Sequence, residues 1–248
     1  MKKEVAITVK NVTICYRDIK RFSIKRVMAS DNSISKSNIF TAVNDVSFEV
    51  KRGEILGICG RNGSGKSTLL RGIAGIFSPD EGLIDLHGHS ISLLSIGVGF
   101  QKPLTGRENI YLSGMLLGFT QDQIKAKIDE IIQFSELGDF VDRPVASYSS
   151  GMYSKLAFSI TAILETDIML IDEVFSVGDV HFKEKSYNKM KELIDADGRT
   201  VIIVSHSSQS LIDLCDRVLW LHDGMIKEIG SPEKTVKNYE VYMRSIDI

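Results

Sequence analysis

Several features that mark other classes of protein are scarce in this chain of 248 residues. Its three cysteines, Cys15, Cys59 and Cys215, are far apart and form no CxxC pair, which argues against a disulfide framework and indicates reduced thiols. The N-terminal "MKKEVAITVK" lacks the apolar stretch of a secretory signal. No apolar run approaches the ~20 residues that cross a bilayer. We therefore expect any membrane-spanning part to belong to other chains.

An excess of charge of one sign is lacking as well. The chain has 30 Lys and Arg against 32 Asp and Glu, a formal net charge of −2, so there is no overall electrostatic case for binding nucleic acid. Its 43% hydrophobic and 25% charged residues are typical of a globular protein. We predict a single domain over residues 1–248 and no nucleic-acid partner.

The strongest pattern that is present is "GRNGSGKST", which fits G-x-x-x-x-G-K-[ST]. The apolar "EILGICG" leads into it, and the helix-like "STLLRGIAGI" follows. Glycines let the backbone curl so that N–H groups point at a phosphate, while Lys66 can reach the β/γ-phosphates and Ser67 can ligate Mg²⁺. We predict a phosphate-binding loop made of Gly60, Arg61, Asn62, Gly63, Ser64, Gly65, Lys66, Ser67 and Thr68.

Two further stretches, "IMLIDE" and "TVIIVSH", are almost wholly apolar and typical of parallel strands buried on both faces. They end in Asp172, Glu173 and His206, at an edge where α/β sheets bind ligands. We expect Asp172 to hold Mg²⁺, Glu173 to accept a proton from the attacking water and His206 to hydrogen-bond the γ-phosphate. Gln101, in "GVGFQK", is a candidate for sensing the metal and the water.

The remaining segments predict a mixed α/β architecture. "VAITVKNVTICY" and "AVNDVSFEV" favour an antiparallel region, in which Tyr16 either stacks on adenine or packs as an ordinary strand residue. "VLWLHDGMIKEIG" predicts a hairpin turning at Asp223-Gly224, and a helix is expected at about 232–244. Because the helical pattern of about 105–146, with a capping box at Thr120 and Gln123, interrupts the alternation of strands and helices, it predicts an inserted helical subdomain at about 102–160.

A second loop with serines and a glycine occurs in "SYSSGMYSKLAFS", where Ser149, Ser150 and Gly151 precede a run with helical spacing. Such a loop offers backbone N–H groups to an anion, although Ser149 or Ser150 can simply cap the helix. Because the loop lies beyond the inserted helices, we predict that it binds the nucleotide of a second copy in a head-to-tail homodimer with two composite sites.

Taken in order, these motifs resemble the ATP-binding cassette (ABC) family over nearly the whole chain. "GRNGSGKST" resembles its Walker A motif, "GFQ" its Q-loop, "YSSGM" its signature motif, "IMLIDE" its Walker B motif, "VSH" its switch histidine and "SVGD", which ends in Asp179, its D-loop. The signature differs from the commoner LSGGQ at Ser150 and Met152, and the D-loop usually reads SALD; we expect activity to survive both changes.

The resemblance implies a phosphate-loop NTPase fold of the ABC type, which is α/β with a mainly parallel core sheet, an antiparallel β subdomain and an inserted helical subdomain. It implies ATP hydrolysis with ATP and Mg²⁺ as cofactors. It also implies that Gln101 contacts the metal and that Asp179 lies at the nucleotide sites of the dimer.

Within that family, "LTGRENIYLSG", "YSSGMYSKLAFS" and "IDEVFSVGD" resemble the ATPase subunits of bacterial polysaccharide exporters. This implies two copies of an integral membrane permease, a lipid-linked polysaccharide such as O-antigen as cargo, and a place on the cytoplasmic face of the inner membrane. Capsule or teichoic-acid export is an alternative, and a soluble cassette ATPase and a phosphate-loop kinase are rivals. Since the sequence stops at Ile248, we expect no C-terminal carbohydrate-binding domain.

The segment 17–40 separates the two antiparallel strands as an insertion. Its first half is basic, with Lys20, Arg21, Lys25 and Arg26. Cations near an anionic leaflet are worth roughly 1 kcal/mol each. We expect this half to lie against the membrane subunit or the headgroup layer, with a solvated surface loop as the alternative.

Overall fold

The computed structural model describes residues 4–17, 39–94, 99–172, 179–195 and 199–246. The strands are β1 (Val5–Arg17), β2 (Ile39–Lys51), β3 (Ile55–Cys59), β4 (Glu81–Asp85), β5 (Ile91–Leu94), β6 (Ile168–Ile171), β7 (Thr200–Val204), β8 (Arg217–His222) and β9 (Met225–Gly230). The helices are α1 (Lys66–Ile73), α2 (Gly106–Leu116), α3 (Gln121–Ser135), α4 (Ser150–Ile163), α5 (Val180–Asp195), α6 (Ser208–Leu214) and α7 (Pro232–Ile246), with 3₁₀ turns at Gly138–Asp142 and Val145–Ser147.

The core sheet has the strand order β5–β6–β7–β3–β8–β9. Its pairs are parallel from β5 to β8, and only β9 is antiparallel to its neighbour. Every residue of β6 and of β7 is buried, as expected for strands covered on both faces. The predicted parallel strands are therefore confirmed, and β3, which leads into the phosphate loop, lies between β7 and β8.

A second sheet, with the order β2–β1–β4, is antiparallel throughout. Side chains from both sheets and from α1 form one hydrophobic core, which includes Ile7, Val43, Ile58, Leu70 and Leu219. The predicted antiparallel region is thus present. The hairpin β8–β9 turns at Asp223 and Gly224, both with positive φ, as a two-residue turn requires.

The helices α2, α3 and α4 share a separate hydrophobic core that includes Ile110, Ile124, Ile131, Leu156 and Ile160. Thr120 and Gln123 form the predicted capping box of α3, and Thr105 and Glu108 form a second one at α2. The other side of α4 contributes Phe158 and Ala162 to a cluster with the core sheet and α5. Helix α4 therefore contributes to two hydrophobic clusters, one with α2 and α3 and one with the core sheet and α5; the bounds 102–160 for a helical subdomain stay a prediction.

The sequence predictions missed β5, α5 and α6, while the C-terminal helix, expected at about 232–244, is α7. Most of the basic segment 17–40, namely residues 18–38, lies outside the described residues, so its place against a membrane subunit stays a prediction. Among the helices that the structure describes, none is both long and apolar enough to cross a membrane.

Candidate functional site

The phosphate loop connects β3 to α1, and glycine is required at two of its turns. Gly60 and Gly65 have φ values of 150° and 100°, which favour glycine. A Cβ atom on Gly65 would collide with the carbonyl oxygen of Ala42, and one on Gly60 with that of Leu221. The loop is therefore enclosed by β2 on one side and β8 on the other.

The turn of the β8–β9 hairpin fixes this loop in place. The Gly224 N–H donates to the Ser64 carbonyl at 3.1 Å, and the Gly224 carbonyl accepts from the Asn44 N–H at 2.8 Å. Two hydrogen bonds thus connect the phosphate loop, through one turn residue, to β2. The loop backbone is thus held by main-chain hydrogen bonds to a turn that is distant in the sequence.

Two side chains of the loop show that it fits a phosphate group. Lys66 is buried, and its Nζ donates to the carbonyls of Gly60 at 2.8 Å and Arg61 at 2.9 Å. The Ser64 hydroxyl is buried, and within the described part of the chain it has no hydrogen-bond partner. Buried polar groups are normally paired, so a phosphate oxygen offers this hydroxyl a suitable acceptor.

Opposite the loop, Asp172 directly follows β6. The Ser67 hydroxyl donates to Asp172 Oδ1 at 3.3 Å. A hydroxyl and a carboxylate are the oxygen ligands that Mg²⁺ prefers in nucleotide sites, so the pair fits the metal expected from the sequence. Glu173 lies outside the described residues, and its role stays a prediction.

A cleft of about 280 Å³ opens beside this pair. The described residues that line it are Phe40, Ala42, Asn62, Gly63, Gly65, Lys66, Ser67, Thr68, Val204 and His206. Because β6 and β7 are neighbours and β7 lies beside β3, the chain brings His206 to the loop from a distant part of the sequence. The structure thus assembles the predicted switch histidine, the phosphate loop and Asp172 at one edge of the core sheet.

Tyr16, near the end of β1, lies close to the phosphate loop and makes contacts of the packing kind that was the alternative to adenine stacking. Its hydroxyl is 3.2 Å from Thr68 Oγ1, and its ring meets the edge of Phe77 with a centroid distance of 6.4 Å. In the β1–β2 pairing Tyr16 lies directly opposite Phe40, which lines the cleft. Both aromatic rings are largely exposed, so stacking on adenine stays a prediction for Tyr16.

Gln101 is exposed and is not among the described residues that line the cleft. Its backbone is held by Asn109, a fully buried residue of α2 that sequence reasoning missed. Asn109 Oδ1 accepts from the Gln101 N–H at 2.7 Å, and Asn109 Nδ2 donates to the Gln101 carbonyl at 3.1 Å. An asparagine directly beside the apolar Ile110 was the available signal.

The serine loop begins α4 on the helical side of the molecule. Ser149 Oγ accepts from the Met152 N–H at 3.2 Å, so Ser149 is the N-cap of this helix. Ser149, Ser150 and Gly151 are absent from the described lining of the cleft. The capping alternative is therefore realised, while contact with a second copy's nucleotide stays a prediction.

Asp179 is held at the start of α5 by two contacts. Its Oδ1 accepts from the Phe182 N–H at 3.0 Å, and its Oδ2 lies 2.8 Å from Lys155 Nζ. The hydrogen bond from Lys155, together with that from the Phe182 backbone, lowers the pKa of the Asp179 carboxyl to about 2. Asp179 is consequently charged at neutral pH and is attached to α4.

Comparison with known proteins agrees with this geometry. Residues 43–176 match the family model described as ABC transporter. The chain is 43% identical over 208 residues to the O-antigen export system ATP-binding protein RfbB of Klebsiella pneumoniae, which covers 84% of each chain. It is 43% identical over 220 residues to the teichoic acids export ATP-binding protein TagH of Lactococcus lactis, covering 89% of this chain but only 46% of that protein.

A solved ATP-binding cassette dimer, in a post-hydrolysis state with ADP and Pi, has the same fold with a TM-score of 0.68 at 23% identity. The structural match covers 91% of this chain and 98% of the solved chain. Fold and phosphate loop together define a phosphate-loop nucleotide-binding protein. More particularly, the chain belongs to the ABC transporter family and is an ATPase cassette of that family.

Proposed function

We propose that this chain is the ATP-hydrolysing subunit of an exporter that moves a lipid-linked, O-antigen-like polysaccharide across the cytoplasmic membrane. The observation that supports it most is the 43% identity to two relatives named as export ATP-binding proteins, one for O-antigen and one for teichoic acids. Capsule or teichoic-acid chains are the alternative cargo. Two copies of the chain would work with two copies of a membrane permease, and they would sit at the cytoplasmic face of that membrane.

We assign the following roles to the residues of this site. The backbone N–H groups of residues 60–68 and the Lys66 ammonium bind the β/γ-phosphates. Ser67 and Asp172 would hold Mg²⁺, and Gln101 would be a third contact after moving toward the cleft. His206 would donate a hydrogen bond from its ring to the γ-phosphate, and Glu173 would accept a proton from the attacking water.

The second half of each site comes from a second copy of the chain. Ser149 caps α4 with its oxygen, and the Met152 and Tyr153 N–H groups donate to Ser149; the Ser149 hydroxyl hydrogen and the N–H groups of Ser150 and Gly151 would meet the anion. A head-to-tail C₂ pair would bring this loop to the partner's cleft, because an isologous interface repeats the same contact twice. Asp179, charged and fixed at the start of α5, would approach the same interface.

The test is reconstitution of the chain with a candidate membrane permease. We expect co-purification, release of inorganic phosphate without any acceptor, and export of labelled lipid-linked polysaccharide that depends on ATP. A Glu173→Gln variant at the same expression level is the matched control, and it should abolish export. Phosphate transfer only in the presence of a small acceptor would favour a kinase, while failure to associate with any membrane subunit would favour a soluble cassette.

A further inference from the structure

A group of four charged residues joins the helical part of the molecule to α5. Lys155 Nζ contacts Asp179 Oδ2 at 2.8 Å and Glu136 Oε2 at 3.1 Å, and Lys185 Nζ contacts Glu136 Oε1 at 2.9 Å. We call Glu136, Lys155, Asp179 and Lys185 the Lys155 junction. Glu136 directly follows α3, and Lys155 lies in the second turn of α4. Asp179 directly precedes α5, and Lys185 lies in its second turn. The junction therefore connects three helices.

The surroundings of the junction distinguish it from an ordinary surface ion pair. The Lys155 side chain is only 15% exposed, and its Nζ lies 4.9 Å from the ring centroid of Phe182. Glu136 has a positive φ of 58°, a conformation that non-glycine residues adopt at a cost. Exposed ion pairs contribute little, whereas a largely enclosed cation with two carboxylate partners and a ring restricts the groups around it.

Lys155 is the residue of the junction that links two loops. It lies less than two turns after Ser149 along α4, and it directly contacts Asp179 at the start of α5. The Phe182 N–H also holds Asp179, but that bond belongs to α5 itself. Lys155 thus joins α4 directly to the Asp179 carboxylate, in addition to the packing of Phe158 of α4 against Phe182 of α5.

We propose that Lys155 is a positioning residue, which holds the Ser149 loop and Asp179 at a fixed spacing so that both reach the partner's nucleotide together. This inference rests on the proposed function, in which the two loops complete a composite site. A displacement of about 1 Å at a site that must assemble from two chains can cost on the order of 100-fold in rate. We therefore expect loss of the Lys155 ammonium group to lower the rate of ATP hydrolysis and to leave the nucleotide affinity unchanged.

The structure offers a clean variant for the test. Lys155→Met keeps most of the aliphatic stem beside Phe182 and removes the charge that pairs with Asp179. Glu136 keeps its contact with Lys185, so no carboxylate of the junction is left buried without a cation. Lys155→Arg restores the charge and can contact two carboxylates at once. Lys127→Met is the matched control, because Lys127 pairs with Glu130 at 2.8 Å within α3, and the two side chains are 50% and 48% exposed.

The full chain, with its permease where it co-purifies, is assayed for ATP hydrolysis and for binding of a fluorescent ATP analogue. We expect Lys155→Met to lower kcat by about tenfold while KM and the analogue Kd stay within about twofold. Lys155→Arg should recover most of kcat, and Lys127→Met should equal wild type. A double variant with Asp179→Asn should be no slower than the slower single variant, because both remove the same contact.

Two results would overturn the proposal. One is a Lys155→Met enzyme whose kcat stays within about twofold of wild type; the other is a parallel loss of analogue binding, which would make Lys155 a general structural residue. A titration of the Asp179 carboxyl by NMR needs no hydrolysis: its pKa should rise from about 2 toward 3.8 in Lys155→Met. An inactive wild-type chain would contradict the proposed function, while an unchanged Asp179 pKa would contradict the ion pair on which the inference depends.

Discussion

The phosphate loop and the serine loop contain similar residues, but the helices that follow them begin with different caps. Both place serine and glycine before a helix, α1 in one case and α4 in the other. Gly65, the N-cap of α1, lies in the left-handed region and provides no side-chain cap, whereas Ser149 caps α4 with its own oxygen. The phosphate loop is enclosed by β2 and β8. The serine loop lies at the start of α4, in the helical part of the molecule.

This difference indicates how each loop meets an anion. The first turn of a helix has backbone N–H groups without partners inside the helix. The phosphate loop keeps them for a ligand and is held open by neighbouring strands, so it is complete within one chain. The serine loop satisfies one of them with the Ser149 hydroxyl oxygen. We expect the first loop to decide whether nucleotide binds, and the second to decide whether bound nucleotide is turned over.

Glu173→Gln gives the largest expected separation between binding and turnover on the phosphate-loop side. Loss of the general base should lower kcat by about 10²–10⁴-fold, while ATP affinity is kept because the amide has the same shape. The trapped ATP should hold a stable dimer. Phosphate release and size-exclusion chromatography measure both effects. Hydrolysis within about threefold of wild type would mean that another group is the base.

Lys66→Ala tests whether the first loop alone controls binding. Its ammonium makes charge-assisted bonds of a kind worth about 1.5–3 kcal/mol each, so we expect ATP affinity to fall by about 10–100-fold, and turnover to fall with it. Equilibrium titration with a fluorescent ATP analogue provides the measurement, and Lys127→Ala on α3 serves as the control. An unchanged affinity would contradict the role given to Lys66.

Ser149→Arg tests whether the second loop serves the other chain. Alone it should bind ATP but not hydrolyse it, since the arginine side chain blocks the interface. In an equal mixture with Lys66→Ala chains, both defects fall on one composite site of each heterodimer and leave the other intact. If single sites turn over, random pairing restores about a quarter of the wild-type rate.

A mixture of wild type with Lys66→Ala is the control for that experiment. Random pairing makes wild-type homodimers that alone give about a quarter of the wild-type rate, and a rate near one half shows that a dimer with one intact site turns over. If this control clearly exceeds a quarter and the Ser149→Arg mixture is inactive, the serine loop acts on its own chain's nucleotide, and the composite site is wrong. The number of nucleotides bound per heterodimer gives a second readout that does not depend on coupled turnover.

The smallest expected effect is the pH dependence of the stability that the Asp179 carboxylate contributes. Because the folded-state pKa is lowered from 3.8 to about 2, the contact with Lys155 stabilises the protein above the unfolded-state pKa and is lost as the pH falls through that window. The difference in Tm between wild type and Asp179→Asn should be small and constant near neutral pH, and it should shrink below about pH 4. A difference that persists unchanged in acid would assign it to the Phe182 cap instead.

The comparison also explains what the sequence could predict. The phosphate loop was predictable because its function depends on glycines, a lysine and a serine at fixed spacing within the short segment 60–68. The buried strands β6 and β7 were predictable from unbroken apolar runs. Capping of α3 followed from Thr120 and Gln123, which are three residues apart.

Features formed by distant residues were not predictable in the same way. Asn109 acts on the backbone of Gln101 through tertiary packing, and no local pattern states which carbonyl a buried amide will reach. Likewise, Glu136, Lys155 and Asp179 come together only because α4 packs against both α3 and α5. The missed helix α5 buries Phe182, Met190 and Leu193 on one face, so its amphipathic pattern was present in the sequence and the prediction overlooked it.

The hydrogen bond from Gly224 to Ser64 has a consequence for how the protein is made. The ribosome synthesises a chain from its N-terminus, and a domain completes its folding only when the last segments that it needs have been made. The phosphate loop is synthesised early, but β8 and the turn at Asp223 and Gly224, which enclose and hold it, lie far later in the sequence. A polypeptide synthesised only as far as β7 therefore has the residues of the phosphate loop without the strand and the turn that fix its shape, and we expect it to capture nucleotide only once β8 and that turn have folded.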